Sequence, residues 1–388
     1  MFDVVSLLRD LVSLPSINPC GGALDATHGE GRVVAFVADW LTARGLDYEL
    51  QEVLPGRHNL LARLAGRGGP SVVFEAHTDT VEVLNMEIEP FAPALRDGRV
   101  YGRGACDCKA SLAAMLIALA QTAQQGAPAG DVTLVAACDE EYRYRGVKHL
   151  VDGGFRAEGG VVGEPTDLRI VIAHKGALRG QIVTRGRAAH SSQPDQGESA
   201  IYHMARVLTA IEQYGRELAR RPKHPLLQGP TVSVGLITGG NAPNIVPDRC
   251  EISLDRRVLP TENPAAVEAE LRAWLTDHAP VPWELEVTLS DNGMDGRPDS
   301  AIVARCAGAV DAALGGHEVA GVQYGTDASK LARAGIPSVV LGPGNIAQAH
   351  TAVEWIETAQ VQTAVEIYRR IMLSEPARRA QEGSAAGR

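Results

Sequence analysis

Three adjacent carboxylates, Asp139-Glu140-Glu141, close the apolar run Val132–Cys138. The run (Val-Thr-Leu-Val-Ala-Ala-Cys) reads as a buried strand. Acids gathered at such a strand end repel one another and lose solvation, so they imply either a solvated loop or bound cations. Other acids and histidines follow other strand-like runs. His77 and Asp79 follow Val72–Ala76, Asp107 follows a Gly-rich passage, and Glu164 follows a short run at 159–162. His350 follows the run 337–341 and the turn Gly342-Pro343-Gly344. In an α/β sheet the strand ends and their loops form the ligand crevice. His77, Asp107, Glu141, Glu164 and His350 can therefore supply a site of two metals. Mixed nitrogen and oxygen donors suit zinc, with cobalt or manganese as alternatives, over calcium or magnesium.

The step from His77 to Asp79 has a mechanical meaning. A ligating imidazole donates its second N–H to a carboxylate or carbonyl, which fixes its tautomer; Asp79 can do this directly or through the backbone. Cys106 and Cys108 flank Asp107. A Cys-x-Cys metal site competes there with small buried hydrophobes, and the second reading is preferred because free cysteine packs well inside. His28, His58, His149, His203, His224, His278 and His317 stand outside these patterns and read as surface or hydrogen-bonded residues.

The elements that must position these groups alternate. Amphipathic helices are expected over 3–13 and 30–44, then strands at 48–53, 60–64 and 72–76. An Ala/Leu-rich helix over 109–125 precedes the 132–138 strand; a helix near 146–152 and the 159–162 strand follow. This is an α/β pattern. From Lys175-Gly176 the order changes to strand 177–185, helix 197–219, strands 231–238 and 250–257, helix 263–277 and strand 283–289. That is βαββαβ, a ferredoxin-like split unit. Helices at 299–314, 327–334 and 357–373 and the strand 337–341 then resume the first pattern. The expected fold is α/β: a mixed-sheet domain, 1–176 and 291–388, interrupted by a βαββαβ domain, 177–290. The polar stretch Glu375–Arg388 reads as a frayed tail.

Composition narrows the function. With 388 residues, 45% hydrophobic and 22% charged, two globular domains are expected. A net charge of −10 argues against nucleic acid or an anionic membrane as partner, and suits acids that neutralise metal. Only 4% of residues are aromatic, so stacking platforms for bases or sugars are not expected. The six cysteines include no Cys-x-x-Cys pair, and the N-terminus lacks a basic region followed by an apolar core. No apolar run reaches the roughly 20 residues of a bilayer span. Free thiols in a reducing cytoplasm are the expectation.

Taken in order, five passages resemble the M20 metallopeptidase and deacylase family. They are His77-Thr78-Asp79, Gly102-Arg103-Gly104-Ala105-Cys106-Asp107-Cys108-Lys109, Asp139-Glu140-Glu141, Gly163-Glu164-Pro165-Thr166 and Ala349-His350. Each is weak alone; the ordered set, with a βαββαβ insertion, covers nearly the whole chain. The resemblance implies that Asp107 bridges two metals, with His77 and Glu164 completing one side and Glu141 and His350 the other. It makes Glu140 the general base and Asp79 the partner of His77, and it implies a cis peptide at Asp107–Cys108. It makes the inserted domain a lid that forms a homodimer. The passage Gly186–Ser192 looks like its signature, with His190 stabilising the oxyanion across the dimer. The passages Asn244–Pro247 and Asp255–Pro260 resemble the lid segment, with Asn244 and Arg257 binding substrate, Arg257 at its carboxylate. The sequence departs from the family in having Cys108 and Ala110 where Met and Gly are common. It also has Tyr142-Arg143-Tyr144-Arg145 where a Gly-rich turn is usual.

The implied reaction is amide hydrolysis, in which Glu140 takes a proton from a metal-activated water and passes it to the leaving amine. The substrate that the resemblance implies is a small N-acylated amino acid with a free carboxylate. The passages Tyr324–Asp327 and Leu341–His350 most resemble the family's N-acetylornithine-deacetylating members, and that resemblance makes N-acetylornithine deacetylation the first expectation. Desuccinylation of succinyl-diaminopimelate and carboxypeptidase action are the alternatives. A non-catalytic binding member of the fold is the alternative from another class.

Overall fold

The computed structural model describes residues 3–374. The chain divides into two compact units. The first runs to Ile172 and resumes with Gly296–Ala320 and from Thr326 onward; the second comprises Ala173–Asp295 and Gly321–Gly325.

The first unit is built on a mixed sheet. Its strands lie in the order Tyr48–Leu54, Arg57–Leu64, Gly130–Ala137, Gly69–His77, Gly159–Val162 and Ser338–Val340. The four central strands are mutually parallel and in close register: His77 faces Ala137, Glu75 faces Val162, and Val162 faces Val340. Four strand ends therefore open on one edge, where chain crossovers leave room for a ligand. The runs from 132 to 137 and 159 to 162 are apolar on both faces because both faces are covered.

The helix Lys109–Gln125 follows the Gly-rich passage and is buried nearly all round. Its alanines let the helices Val4–Val12 and Thr358–Leu373 approach closely, and the three share one core with Phe74, Leu134 and Val161. Lys109 is the polar exception: its Nζ donates to the carbonyls of Leu11 (3.1 Å) and Leu14 (2.7 Å), and burial lowers its pKa to about 7. A small sheet of Trp355–Glu357, Arg99–Tyr101 and Ala94–Arg96 lies beside the Gly-rich passage.

The second unit is a four-stranded antiparallel sheet in the order Thr231–Gly239, Arg249–Val258, Gly176–Arg185 and Trp283–Asp291. The helices Ala200–Ala219 and Pro264–His278 complete the βαββαβ order. Strand alternation turns Cys250, Ile252, Leu254, Arg256 and Val258 inward. Arg256 is tolerated there because Glu262 pairs with it at 2.5 Å and the Arg257 carbonyl accepts from it. A two-stranded ribbon, Ala189–His190 with Ile245–Val246, accompanies this sheet.

The structure departs from the sequence reading in local ways. The acidic triplet, read as a loop past a strand end, begins a one-turn helix, Glu140–Arg143. The helix expected from 197 starts at Ala200, because Pro194–Gln196 forms a 3-10 turn and the Ser199 hydroxyl accepts from the Tyr202 N–H. The strand Ile170–His174 and the three short strands at 94–96, 99–101 and 355–357 were not anticipated. They carry too few residues for a period-2 signal to stand out. The polar stretch 375–388 lies outside the described residues.

Candidate metal centre

Each presumed ligand stands at the end of a strand or at a backbone turn forced by local chemistry. His77 ends the strand Gly69–His77 and is 1% exposed. Its Nδ1 is 2.9 Å from the Asp79 carbonyl oxygen. A carbonyl only accepts, so Nδ1 carries the proton and Nε2 is left to bind. That Nε2 lies 2.9 Å from Asp107 Oδ1 and 3.7 Å from Glu164 Oε1. The second carboxylate oxygen of Asp107 faces elsewhere: Oδ2 is 3.3 Å from His350 Nε2, which is 3.2 Å from Glu141 Oε1. Two donor groups thus meet at one carboxylate, one oxygen to each. Glu140 stands with His77 and Glu164, its oxygen within 4.8 Å of theirs.

The backbone that carries the bridge is held by a residue the sequence reading missed. Glu354, fully buried, accepts from the N–H groups of Gly104 (3.1 Å), Cys106 (2.9 Å) and Asp107 (3.1 Å), and pairs with Arg103 at 2.6 Å. Three amides and a guanidinium satisfy it, which fixes the loop before Asp107. Nothing local marks this glutamate in the sequence, since its partners are about 250 positions away. The Asp107–Cys108 peptide is cis.

Asp79 acts on the triplet as well as on His77. Its main-chain oxygen orients the imidazole, while its carboxylate is 3.7 Å from Nδ1. That carboxylate instead accepts from the N–H of Glu140 (3.1 Å) and of Glu141 (3.0 Å). These are the free amides at the start of the one-turn helix. Gly163 N donates to the Glu75 carbonyl, continuing the ladder to Glu164. His350 sits at φ 59°, a left-handed conformation, and is half-exposed.

Burial and close like charges shift the titration of the centre. Burial and then neighbouring carboxylates raise the pKa of Glu140, Glu164 and Glu141. Burial opposes charge on His77, but Cys108, Glu164 and Asp107 outweigh it and its pKa is raised well above the usual value. Burial likewise opposes His350, and hydrogen bonds to Asp107 and Glu141 carry it to about 10. Asp107 is held low: burial would raise it, and the two histidines prevail. Two imidazoles, three carboxylates and a nearby fourth fit divalent ions of the zinc, cobalt or manganese kind: nitrogen and oxygen donors, two groups, one shared bridge. Cys108 also lies within 4.8 Å of His77 and Asp107 donor atoms, with Sγ 3.5 Å from the His77 carbonyl. Cys106 packs under the Asn345 carbonyl.

The remaining expected site residues belong to the second unit. His190 is exposed on the two-stranded ribbon, opposite Ile245, with Nδ1 2.8 Å from Ser192 Oγ. The Asn244 carbonyl accepts from Ser191 N (3.0 Å), so the ribbon brings Asn244 and His190 together. A concavity of about 880 Å³ adjoins them, lined in part by Ser191, Ile201, Tyr202, Asn241 and Ile245. Arg257, on the sheet, pairs with Asp255 at 2.9 Å.

The profile of peptidase family M20/M25/M40 matches residues 73–374. The acetylornithine deacetylase of Myxococcus xanthus is 32% identical over 349 residues, covering 86% of this chain and 90% of that protein. The acetylornithine deacetylase of Vibrio campbellii is 30% identical, covering 95% and 97%. In structure, an M20 family metallo-carboxypeptidase of Sulfolobus solfataricus superposes with a TM-score of 0.82 at 19% identity, over 97% of this chain and 100% of that one. A dinuclear metal binding peptidase of the M20 family from Bacillus subtilis does so at 0.67 and 17%, over 95% and 96%.

Proposed function

The chain belongs to peptidase family M20/M25/M40 and is a metal-dependent hydrolase, and from that premise we propose that it deacylates N-acylated amino acids, N-acetylornithine first. The observation that carries this reading is the meeting of two donor groups at Asp107, with Glu140 beside them. His77, Glu164 and Asp107 would hold one divalent ion, and Asp107, Glu141 and His350 the other, with zinc the first choice. When bound, the ions supply a water of lowered pKa and charge to polarise the amide carbonyl.

The protein's own residues do the rest. Asp79 orients His77 through its carbonyl and holds the amides of Glu140 and Glu141. Glu140 removes the proton from the attacking water and returns it to the leaving amine, a role its place beside His77 and Glu164 allows. We assign His190 the role of oxyanion stabiliser across the dimer, Asn244 that of a substrate contact, and Arg257 that of partner to the free carboxylate. Relatives with about 30% identity named acetylornithine deacetylase support the substrate class.

The reading extends to assembly and place. Two chains pair through the lid; the exposed Leu236 and Ile237 on its edge strand and Tyr202 on its first helix support this. All six cysteines are free, in keeping with a cytoplasmic enzyme. Among the described residues no helix is long and apolar enough to cross a membrane.

The test is a hydrolysis screen of the zinc-, cobalt- and manganese-loaded protein over N-acetyl and N-succinyl amino acids and short peptides. N-acetylornithine turning over fastest supports the proposal. Preference for a succinyl or peptide substrate moves the assignment within the family, and no hydrolysis of any amide removes it.

A further inference from the structure

Asp139, the first acid of the triplet, has no part in the chemistry above, yet it is the most heavily tied of the three. It is fully buried, at φ 66°, where the chain turns from strand to helix. Its carboxylate accepts from Arg57 Nη1 (3.0 Å), Arg145 Nε (2.6 Å) and Asn18 Nδ2 (3.1 Å), and its N–H donates to Glu30 Oε1 (3.1 Å). Aspartate is among the few residues that accept the left-handed conformation readily. Here four partners hold it there.

Those partners form one buried network. Arg57 is 4% exposed; two of its nitrogens grip both oxygens of Glu30, itself fully buried, and the third reaches Asp139. Asn18 spends both amide hydrogens on acids, one on Asp139 and one on Asp79 Oδ2 (2.7 Å), while its oxygen accepts from Cys20 N (2.8 Å). This fixes the orientation of the amide, since the reverse would set its oxygen against two carboxylates. The Asn18 backbone is tied to the same place, its N–H donating to the Thr80 carbonyl at 2.8 Å. Asp79 in turn holds the amides of Glu140 and Glu141. The helix start that presents the base and one ligand is thus clamped on both sides. Asn18 and Asp79 act on its amides, and Arg57, Glu30 and Arg145 act on the residue before it.

We propose that Asn18 and Arg57 are positioning residues of the metal centre. Acting through Asp79 and Asp139, they fix the main chain that carries Glu140 and Glu141, and so set how tightly the Glu141 and His350 side takes a divalent ion. The inference rests on the two-ion reading above. A ligand displaced by a fraction of an ångström loses geometry that no later contact restores. Residues that orient metal ligands typically cost about 10- to 100-fold in affinity or activity when changed.

The test is a calorimetric titration of zinc alone into the metal-free chain, for wild type, Asn18→Ala and Arg57→Lys, with kcat, KM and thermal melting measured alongside. Thr184→Val is the control, because it removes a buried hydroxyl of the second unit that donates to the carbonyls of Ala200 (2.8 Å) and Cys250 (3.4 Å). The expected result is one zinc-binding step weakened about tenfold or more in each network variant and the other step unchanged. In those variants kcat falls about tenfold with KM within about threefold. Asn18→Ser, which keeps a donor, recovers part of the loss, and the control melts lower with both zinc steps intact. If Asn18→Ala does not fold, Arg57→Lys decides by the same readouts. Zinc steps and kcat within about threefold of wild type in the network variants would overturn the proposal. If the wild type takes up two zinc ions and cleaves no N-acyl amino acid, the substrate reading fails while the zinc arm still judges this one.

Discussion

Around His77 and Asp107 the charged side chains are enclosed apart from the half-exposed His350; around His190 and Asn244 they stand in solvent. Asp79, Asp139 and Glu354 are fully buried, and each accepts several charge-assisted or backbone hydrogen bonds. His190 is held by Ser192 and one ribbon pairing, and Arg257 pairs with Asp255. A buried charge is tolerable only with a complete set of partners, so the first unit commits its geometry before any ion arrives. An exposed side chain costs little to place and can exchange partners freely. The proposed ligands and base thus belong to the enclosed region, and the proposed substrate contacts to the exposed one.

The sharpest way to break this contrast is Glu140→Ala. It is expected to lower kcat by at least about 10²- to 10⁴-fold while the fold and zinc content stay as in wild type; steady-state turnover with metal analysis checks it. Glu354→Ala probes the enclosure itself. It strands Arg103 and three amides, so urea unfolding should show a loss of about 3–5 kcal/mol, with weaker metal retention. His190→Ala should do the reverse: kcat lower by about 10²- to 10³-fold, with stability changed by no more than about 0.5 kcal/mol. A comparable loss of stability there would erase the distinction between the two regions.

The smallest effect is in pH. Raised pKa values at Glu140, Glu164, His77 and His350 mean that the folded, metal-free chain binds more protons than the unfolded chain. Its stability should fall as pH rises from about 6 to about 8, and zinc, which displaces those protons, should weaken or invert that slope. Melting temperatures with and without zinc at the two pH values show the sign.

Much of this was legible in the sequence where the signal is local. Three of the four parallel strands announced themselves by apolar runs leading into acids or histidine, and Lys109–Gln125 by an apolar stretch too long for a strand. His77, Glu141 and Glu164 drew notice by following such ends, Asp107 by the Gly-rich passage before it and His350 by the turn before it, and the structure brings their donor atoms close together. Asn18, Glu30, Arg57 and Glu354 drew no notice. They are single polar residues whose meaning lies in partners 27 to 251 positions distant. The helix at Glu140 escaped for a related reason, because its first amides are satisfied by Asp79, which one-turn propensity cannot reveal.

The central claim is that Asp107 joins two ion sites, and the most direct measurement is zinc stoichiometry by equilibrium dialysis and metal analysis, for wild type and Asp107→Ala. Two ions per chain in the wild type and at most one, weakly held, in the variant is the expected result. Two ions in both, or none in the wild type, would contradict it.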